Sequence, residues 1–224
     1  MILIILAPVL KHIVEKINLW ATRRKYIQQN QEYLNQLVAM DTAYHPEKTD
    51  VEMAQKCKEY LVEMFPEGIT ERTRNMSQEE LMELFKKLTE DAQLLMDVHV
   101  GNVEFYASDN PLICNNCGFY SHEKDSLFIN AAFILSGEPA MVEEQVYTVF
   151  HEMKHARQWA AIEGKLHGTK DYGYSDEQIR IWAENLERYV PSFVDDELYR
   201  KQPVEADAFG FETILKGERR FETI

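Results

Sequence analysis

Hydrophobic residues recur at helical spacing along most of the chain, and the longest such pattern lies between Ala140 and Ala161. No proline or glycine interrupts this segment. Its apolar positions fall on one side of a helix with 3.6 residues per turn. They are Val142, Val146, Val149, Met153, Ala156 and Ala160. The pattern predicts a helix that buries this stripe in a hydrophobic core.

Shorter helical patterns fill the first 96 residues. Ser77 and Glu80 form a capping box ahead of one apolar series, and another series lies within residues 21–40. Because a chain of 224 residues can fold as one domain, we expect residues 1–96 to form a helical region packed on a lobe of residues 97–224. An independent recognition domain is the alternative for the first region.

Three segments ahead of the long helix are rich in β-forming residues, and polar turn clusters separate them. They are residues 98–106, 112–120 and 126–130. Strands followed by a long helix predict an α+β fold with a small antiparallel sheet. An edge strand of such a sheet can pair with the backbone of an extended peptide.

The predicted helix at residues 140–161 contains the sequence His151-Glu152-Met-Lys154-His155. Residues four apart lie one above the other on a helix, so both imidazoles can bind a single zinc ion. At about 100° per residue, the two histidines lie roughly opposite the apolar stripe, which favours metal ligands over core histidines. Glu152 lies one position round, where it can act on a water at the metal. Lys154 falls at an angle that lets its charge point to solvent.

A catalytic zinc ion usually has three protein ligands and one water, so a third donor should lie downstream. His167 is one candidate, but it follows His155 by twelve residues, twice the step of the metzincin pattern. Glu205 is the second, at the edge of a helix predicted to start at Pro203. Glu212 is the third, two turns further along the same face. Both carboxylates could instead be solvated helix residues.

The pair His151-Glu-x-x-His155, followed some fifty residues later by Glu205-Ala-Asp207-x-Phe, resembles the zinc peptidases of the ImmA/IrrE type. Those carry Glu-Ala-Asn/Asp-x-Phe-Ala after their His-Glu-x-x-His helix. The chain also resembles small proteins of Firmicutes and their phages that have a Gly-x-Tyr strand before the motif. The resemblance covers roughly residues 98–216. The helix-turn-helix module often fused to such peptidases is not evident in the sequence.

This resemblance implies a zincin-like metallopeptidase domain over residues 97–224, of the gluzincin type, acting on protein or peptide substrates. His151, His155 and Glu205 would be the zinc ligands. Glu152 would then be the general base that takes a proton from water. Asp207 is a candidate to orient an imidazole.

Several side chains are candidates for donating a hydrogen bond to the transition-state oxyanion. They are Tyr199, Tyr172, Tyr174 and His167. Tyr199 is preferred because it precedes Glu205 in the chain. Ordinary aromatic packing is the alternative role for each tyrosine.

Two other classes of protein fit parts of the sequence. One is a noncatalytic binding protein with a zincin fold, whose metal would be closed by four protein ligands. The other is a thiol redox protein that uses Cys114 and Cys117, a pair that could also join His122 in a structural zinc site. Three cysteines, an odd number, without an export signal indicate a reducing cytoplasm.

The formal net charge is −14, with 38 acidic and 24 basic residues, so the surface should repel phosphate backbones. We therefore expect no nucleic-acid partner. The first ten residues are apolar, but the run ends at Lys11 and is too short to cross a bilayer. We expect a buried first helix without a stable membrane span, with weak membrane association as the alternative. The sequence does not indicate an oligomeric state.

Overall fold

The computed structural model describes residues 2–40, 46–108 and 116–217. Within these ranges the chain is α+β. The helices are α1 (Ile2–Ala39), α2 (Lys48–Met64), α3 (Ile69–Thr73), α4 (Gln78–Leu95), α5 (Ala131–Ile134), α6 (Pro139–His167), α7 (Asp176–Leu186), α8 (Asp196–Lys201) and α9 (Pro203–Lys216). The strands are β1 (Asn102–Tyr106), β2 (Gly118–Ser121) and β3 (Ser126–Asn130).

The helix ends follow local signals in the sequence. The predicted capping box at the start of α4 is confirmed, because the Ser77 side chain accepts from the backbone of Glu80 and the Glu80 side chain accepts from the backbone of Ser77. Helices α6 and α9 each begin at a proline. Each ends at a glycine in the left-handed conformation, Gly168 and Gly217. Proline and glycine thus delimit both helices that carry the candidate ligands.

The three strands form a mixed sheet in the order β1-β3-β2. Strands β2 and β3 are antiparallel, with Phe119 opposite Phe128, whereas β1 runs parallel to β3. The prediction of an antiparallel sheet is therefore wrong for β1. The tight turn between β2 and β3 requires an antiparallel pair, but the longer connection from β1 lets that strand join the other edge of β3 in the same direction. Part of the predicted strand 112–120 lies outside the described residues.

The main hydrophobic core joins the first region of the chain to the second. Cys57 of α2 and Phe85 of α4 are fully buried in the same cluster as Val149 of α6 and Phe211 of α9. The predicted stripe of α6 faces this core, with only Ala160 left partly exposed. Helix α6 therefore has one face in the core while its neighbouring faces meet α9 and the sheet.

Helix α1 (Ile2–Ala39) consists of two helical segments that meet at a kink at Asn30, whose backbone is non-helical. Its C-terminal half packs through Leu34 and Leu37 against the segment before α8. The side chains of the apolar run at residues 1–10, for which we expected burial, lie outside those described. Among the described residues, no helix is both long enough and apolar enough to cross a membrane.

Candidate metal centre

His151, His155 and Glu205 converge at the contact between α6 and α9. The distance from His151 Nε2 to Glu205 Oε2 is 3.3 Å, and that from His155 Nε2 to Glu205 Oε1 is also 3.3 Å. One ligand atom from each residue lies within 4.8 Å of the other two. The structure thus brings together the three residues that the sequence suggests as ligands.

The local sequence explains this meeting of the two helices. Two histidines one turn apart project from the same side of α6. Pro203 starts α9 and puts Glu205 in its first turn. The apolar side of α9, which includes Val204 and Ala208, is completely buried. Glu205 is 0% exposed, so its alternative role as a solvated surface carboxylate is wrong.

Glu212 contacts the other ring nitrogen of His151. The distance from His151 Nδ1 to Glu212 Oε2 is 3.1 Å, and Lys216 Nζ lies 2.5 Å from Glu212 Oε1. An ionised carboxylate only accepts hydrogen bonds, so Nδ1 of His151 carries a proton. The Nε2 lone pair of a neutral His151 then points to Glu205. The prediction that Glu212 is a solvated residue is wrong, because it is 8% exposed and orients His151.

Gln158 orients His155 in a comparable way. Its amide nitrogen donates to the carbonyl of Val204 at 3.0 Å and to Oδ2 of Asp207 at 2.6 Å. Its oxygen therefore faces His155 Nδ1 at 2.9 Å, which places the proton on Nδ1. Asp207, predicted to orient an imidazole, acts on His155 through Gln158.

The tautomers of His151 and His155 decide whether their Nε2 atoms are free to bind a metal ion. With Nδ1 protonated, two neutral imidazoles present their Nε2 lone pairs to the buried carboxylate of Glu205. Three acceptors facing one another repel unless protons or a cation lie among them. Ligand atoms at the corners of a zinc tetrahedron with bonds of about 2.0–2.1 Å stand about 3.3–3.4 Å apart. The two Nε2 atoms lie 3.3 Å from different oxygens of Glu205, and one ligand atom from each residue lies within 4.8 Å of the other two, so these donor types and their spacing could hold a metal ion.

Protons balance the charges in the metal-free protein. Burial opposes protonation of His151, but hydrogen bonds to Glu205 and Glu212 raise its pKa to about 10. Burial also opposes protonation of His155, while the charge of Glu205 and a hydrogen bond to it raise that pKa. Burial favours the neutral form of Glu205, yet the two imidazoles hold its pKa well below the ordinary value. The three side chains therefore favour a positive charge at the point where they meet.

Glu152 lies beside the three candidate ligands and is almost completely buried. Its Oε2 accepts a hydrogen bond from the backbone N–H of Tyr120 on β2, at 2.9 Å. Burial raises the pKa of Glu152, although positive charge on His151 and His155 works in the opposite direction. A raised carboxylate pKa suits a group that must accept a proton and release it again.

Two tyrosines border the site. The hydroxyl of Tyr189 donates to Glu205 Oε1 at 2.6 Å. Tyr199, the predicted oxyanion donor, lies next to it, with ring centroids 6.2 Å apart. Burial, followed by the charge of Glu205, raises the pKa of Tyr199. Sequence reasoning missed Tyr189, because no motif or helical spacing links it to Glu205.

The remaining candidates lie elsewhere. His167 is exposed and pairs with Glu163 at 3.0 Å. Burial raises the pKa of the Cys117 thiol, which is the opposite of what activates a redox thiol, and Cys114 lies outside the described residues. His122 stacks on the Trp159 ring, with centroids 3.9 Å apart.

Lys154 is completely buried, so its charge does not point to solvent, although its angle on the helix would allow this. Its Nζ lies 2.6 Å from Asp50 Oδ1, 3.0 Å from Asp207 Oδ2 and 3.1 Å from the Tyr174 hydroxyl. Helices α2 and α9 cover this side of α6 and supply the two carboxylates. Tyr172 lies nearby, under the Arg157 guanidinium at 5.1 Å. The tyrosines at 172 and 174 therefore belong to this ion-pair cluster and its surroundings.

No protein-family model, curated protein or solved structure matches this chain. Its function must therefore be inferred from the chemistry of these residues.

Proposed function

We propose that the chain is a zinc-dependent peptidase with a zincin-like site of the gluzincin type, hydrolysing peptide bonds in proteins or peptides. The observation that carries this proposal is the convergence of two oriented imidazoles and a buried carboxylate beside Glu152. His151, His155 and Glu205 would hold the ion. When bound, zinc supplies Lewis acidity and lowers the pKa of a water molecule to about 7.

Glu152 performs the proton transfers of the reaction. Its carboxylate removes a proton from the attacking water as the oxygen of that water bonds to the scissile carbonyl carbon. It then delivers the proton to the leaving nitrogen as the C–N bond breaks. The hydrogen bond from Tyr120 N holds one carboxylate oxygen in place during both transfers.

Two tyrosines near Glu205 have different proposed roles. Tyr189 already donates to Glu205, so it positions that ligand. Tyr199, next to it, is the proposed donor to the transition-state oxyanion. Strand β2 forms an edge of the sheet and contacts Glu152, so we expect an extended substrate to pair near this edge. We propose a cytoplasmic location from the odd number of cysteines.

The first test combines metal analysis with a peptide-library cleavage assay on chain purified without added zinc. We expect the unaltered chain to carry about one zinc ion, as a single three-ligand site requires, and to cleave peptides. Glu152→Gln should keep the zinc and lose hydrolysis, because the amide cannot accept a proton. Glu163→Gln alters a half-exposed acid on the same helix and should change neither quantity. Turnover by Glu152→Gln would remove Glu152 from the mechanism.

A noncatalytic metal-binding protein is the second candidate, and the degree of burial favours it. Exposure of the side chains is 6% for His151, 13% for His155 and 1% for Glu205. A structural site is closed by four protein ligands, whereas a catalytic site admits water. Cobalt-substituted protein titrated with acetohydroxamate separates the two. A change in the visible cobalt spectrum supports the peptidase, and an unchanged spectrum supports a closed site.

A further inference from the structure

The N-terminal half of α1 has an exposed apolar stripe. Val14, Ile17 and Trp20 are 54%, 57% and 59% exposed. At about 100° per residue they fall within an arc of about 120° on one side of the helix. Contiguous exposed apolar side chains of this kind mark a surface that contacts another apolar phase.

The charge of the same segment is opposite to that of the chain. Residues 11–25 contain five basic side chains and one acidic side chain, while the whole chain has a net charge of −14. The basic residues are Lys11, Lys16, Arg23, Arg24 and Lys25. Viewed down the helix axis, Lys16 falls beside the arc on the Trp20 side, Lys25 falls beside it on the Val14 side, and Arg24 falls within it one turn beyond Trp20. Basic residues along both margins of an apolar stripe match an anionic lipid surface, where they reach the headgroups.

Trp20 adds a second feature typical of interfacial helices. Its ring is amphipathic, and tryptophan is enriched at the level of lipid headgroups. The Arg24 guanidinium lies 5.3 Å from the centroid of the Trp20 ring. The aromatic ring and the cation are therefore presented together, one turn apart on the helix.

The C-terminal half of α1 holds this segment on the molecule. The Tyr26 hydroxyl donates to the carbonyl of Tyr189 at 2.6 Å, and Leu34 and Leu37 are buried against Val190 and Val194. Residues 11–25 directly precede Tyr26, on the N-terminal side of the kink at Asn30. They are placed to contact a surface without disturbing the core.

We infer that residues 11–25 of α1 form an amphipathic helix that binds the surface of an anionic lipid membrane. The helix lies on the membrane and does not cross it. A second copy of the chain is a poorer match for this stripe, because paired helices would bring their flanking basic residues together. A membrane with anionic headgroups offers the complementary charge, and each basic residue near it should strengthen binding about fivefold. This inference is independent of the proposed peptidase activity.

Vesicle flotation of the full chain tests the inference. We expect the protein to float with vesicles of phosphatidylcholine and phosphatidylserine, to float poorly with pure phosphatidylcholine, and to be released by high salt. The double variant Ile17→Asp and Trp20→Ser should lose flotation. The matched control, Leu94→Asp with Leu166→Ser, adds the same charge, replaces side chains that are 80% and 72% exposed elsewhere and should float normally. Circular dichroism checks that each variant is folded.

A second pair of variants isolates the charge. Lys16→Glu with Lys25→Glu should reduce binding to anionic vesicles by more than tenfold, whereas Lys48→Glu with Lys86→Glu carries the same net charge and should bind normally. Equal binding to neutral vesicles would overturn the assignment of an anionic surface. Absence of flotation, together with dimerisation that Ile17→Asp and Trp20→Ser abolish in sedimentation equilibrium, would show that a second copy covers the stripe and would overturn the inference.

Discussion

Helix α6 carries two buried clusters of charged and polar groups within a single turn. The two clusters differ in the source of their positive charge. In one, His151 and His155 face the carboxylate of Glu205. In the other, Lys154 faces the carboxylates of Asp50 and Asp207. In the metal-free protein, protons on the imidazoles balance the carboxylate of the first cluster, and a metal ion can displace them. The second already contains its cation.

The second cluster shows that burial of charge alone does not identify a functional site. Lys154 donates to Asp50 and Tyr174, and the Tyr174 hydroxyl donates in turn to Asp50 at 2.7 Å. The Lys154 ammonium also lies 4.9 Å from the Trp182 ring. Donors and acceptors are matched, so this cluster links α2, α6 and α9 through its own side chains.

Asp207 connects the two clusters. Its Oδ2 lies 3.0 Å from Lys154 Nζ and accepts from Gln158 Nε2, and Gln158 in turn fixes the tautomer of His155. The structural cluster therefore helps to position a candidate metal ligand. Substitutions in each cluster should separate loss of metal from loss of stability.

The largest expected effect is loss of zinc when a candidate ligand is removed. Glu205→Ala and His155→Ala should each lower zinc affinity by more than the 10–100-fold that follows loss of an outer partner. Metal analysis of chain purified without added zinc, compared with Glu163→Gln, measures this. Zinc that persists in both variants would place the metal elsewhere and remove the contrast between the clusters.

Next in size is the loss of stability when the cation of the second cluster is removed. Lys154→Met leaves two carboxylates buried without their partner, and it should lower the free energy of unfolding by about 3–5 kcal/mol. Urea denaturation of the metal-free protein measures the change. Lys165→Met removes an exposed ion pair to Asp176 and should have little effect. A small change for Lys154→Met would show that the second cluster is not a source of stability.

A smaller loss of zinc affinity is expected when Glu212, the hydrogen-bond partner of His151, is replaced. Glu212→Gln should weaken zinc binding 10–100-fold, because the amide is a poorer acceptor for the Nδ1 proton. Competition with a fluorescent chelator gives the affinity. Glu144→Gln is a matched control, since Glu144 shares the contact with Lys216 but not the one with His151. Equal losses in the two variants would assign the effect to Lys216.

The smallest expected effect is the change in zinc affinity when the pH changes by one unit. Zinc must displace the proton that His151 binds in the metal-free protein, so affinity should rise about tenfold per pH unit for each proton displaced. The raised pKa stabilises the metal-free fold fully below the ordinary value of 6.5, and this stabilisation is lost as the pH rises toward about 10. The increase in Tm on adding zinc should therefore grow across this range. A flat response would mean that His151 is unprotonated before zinc binds.

The sequence predicted the features that arise within a few residues. The bounds of β3, the capping box at Ser77 and the position of the two histidines on α6 all follow from neighbouring side chains and helix or strand periodicity. The direction of β1 does not follow in this way. It depends on how a long connection is folded, and no local pattern specifies that.

The sequence by itself determined that His151 and His155 share a helix face and that Glu205 lies in the first turn of a second helix, because helix geometry and a starting proline act locally. Only the tertiary structure decided which groups surround them. Asp50 and Lys154 are 104 residues apart in the chain, and Tyr120 reaches Glu152 across 32 residues. Such contacts come from the packing of α2, α6, α9 and the sheet, where burial removes water and leaves each polar group to find a partner in the protein.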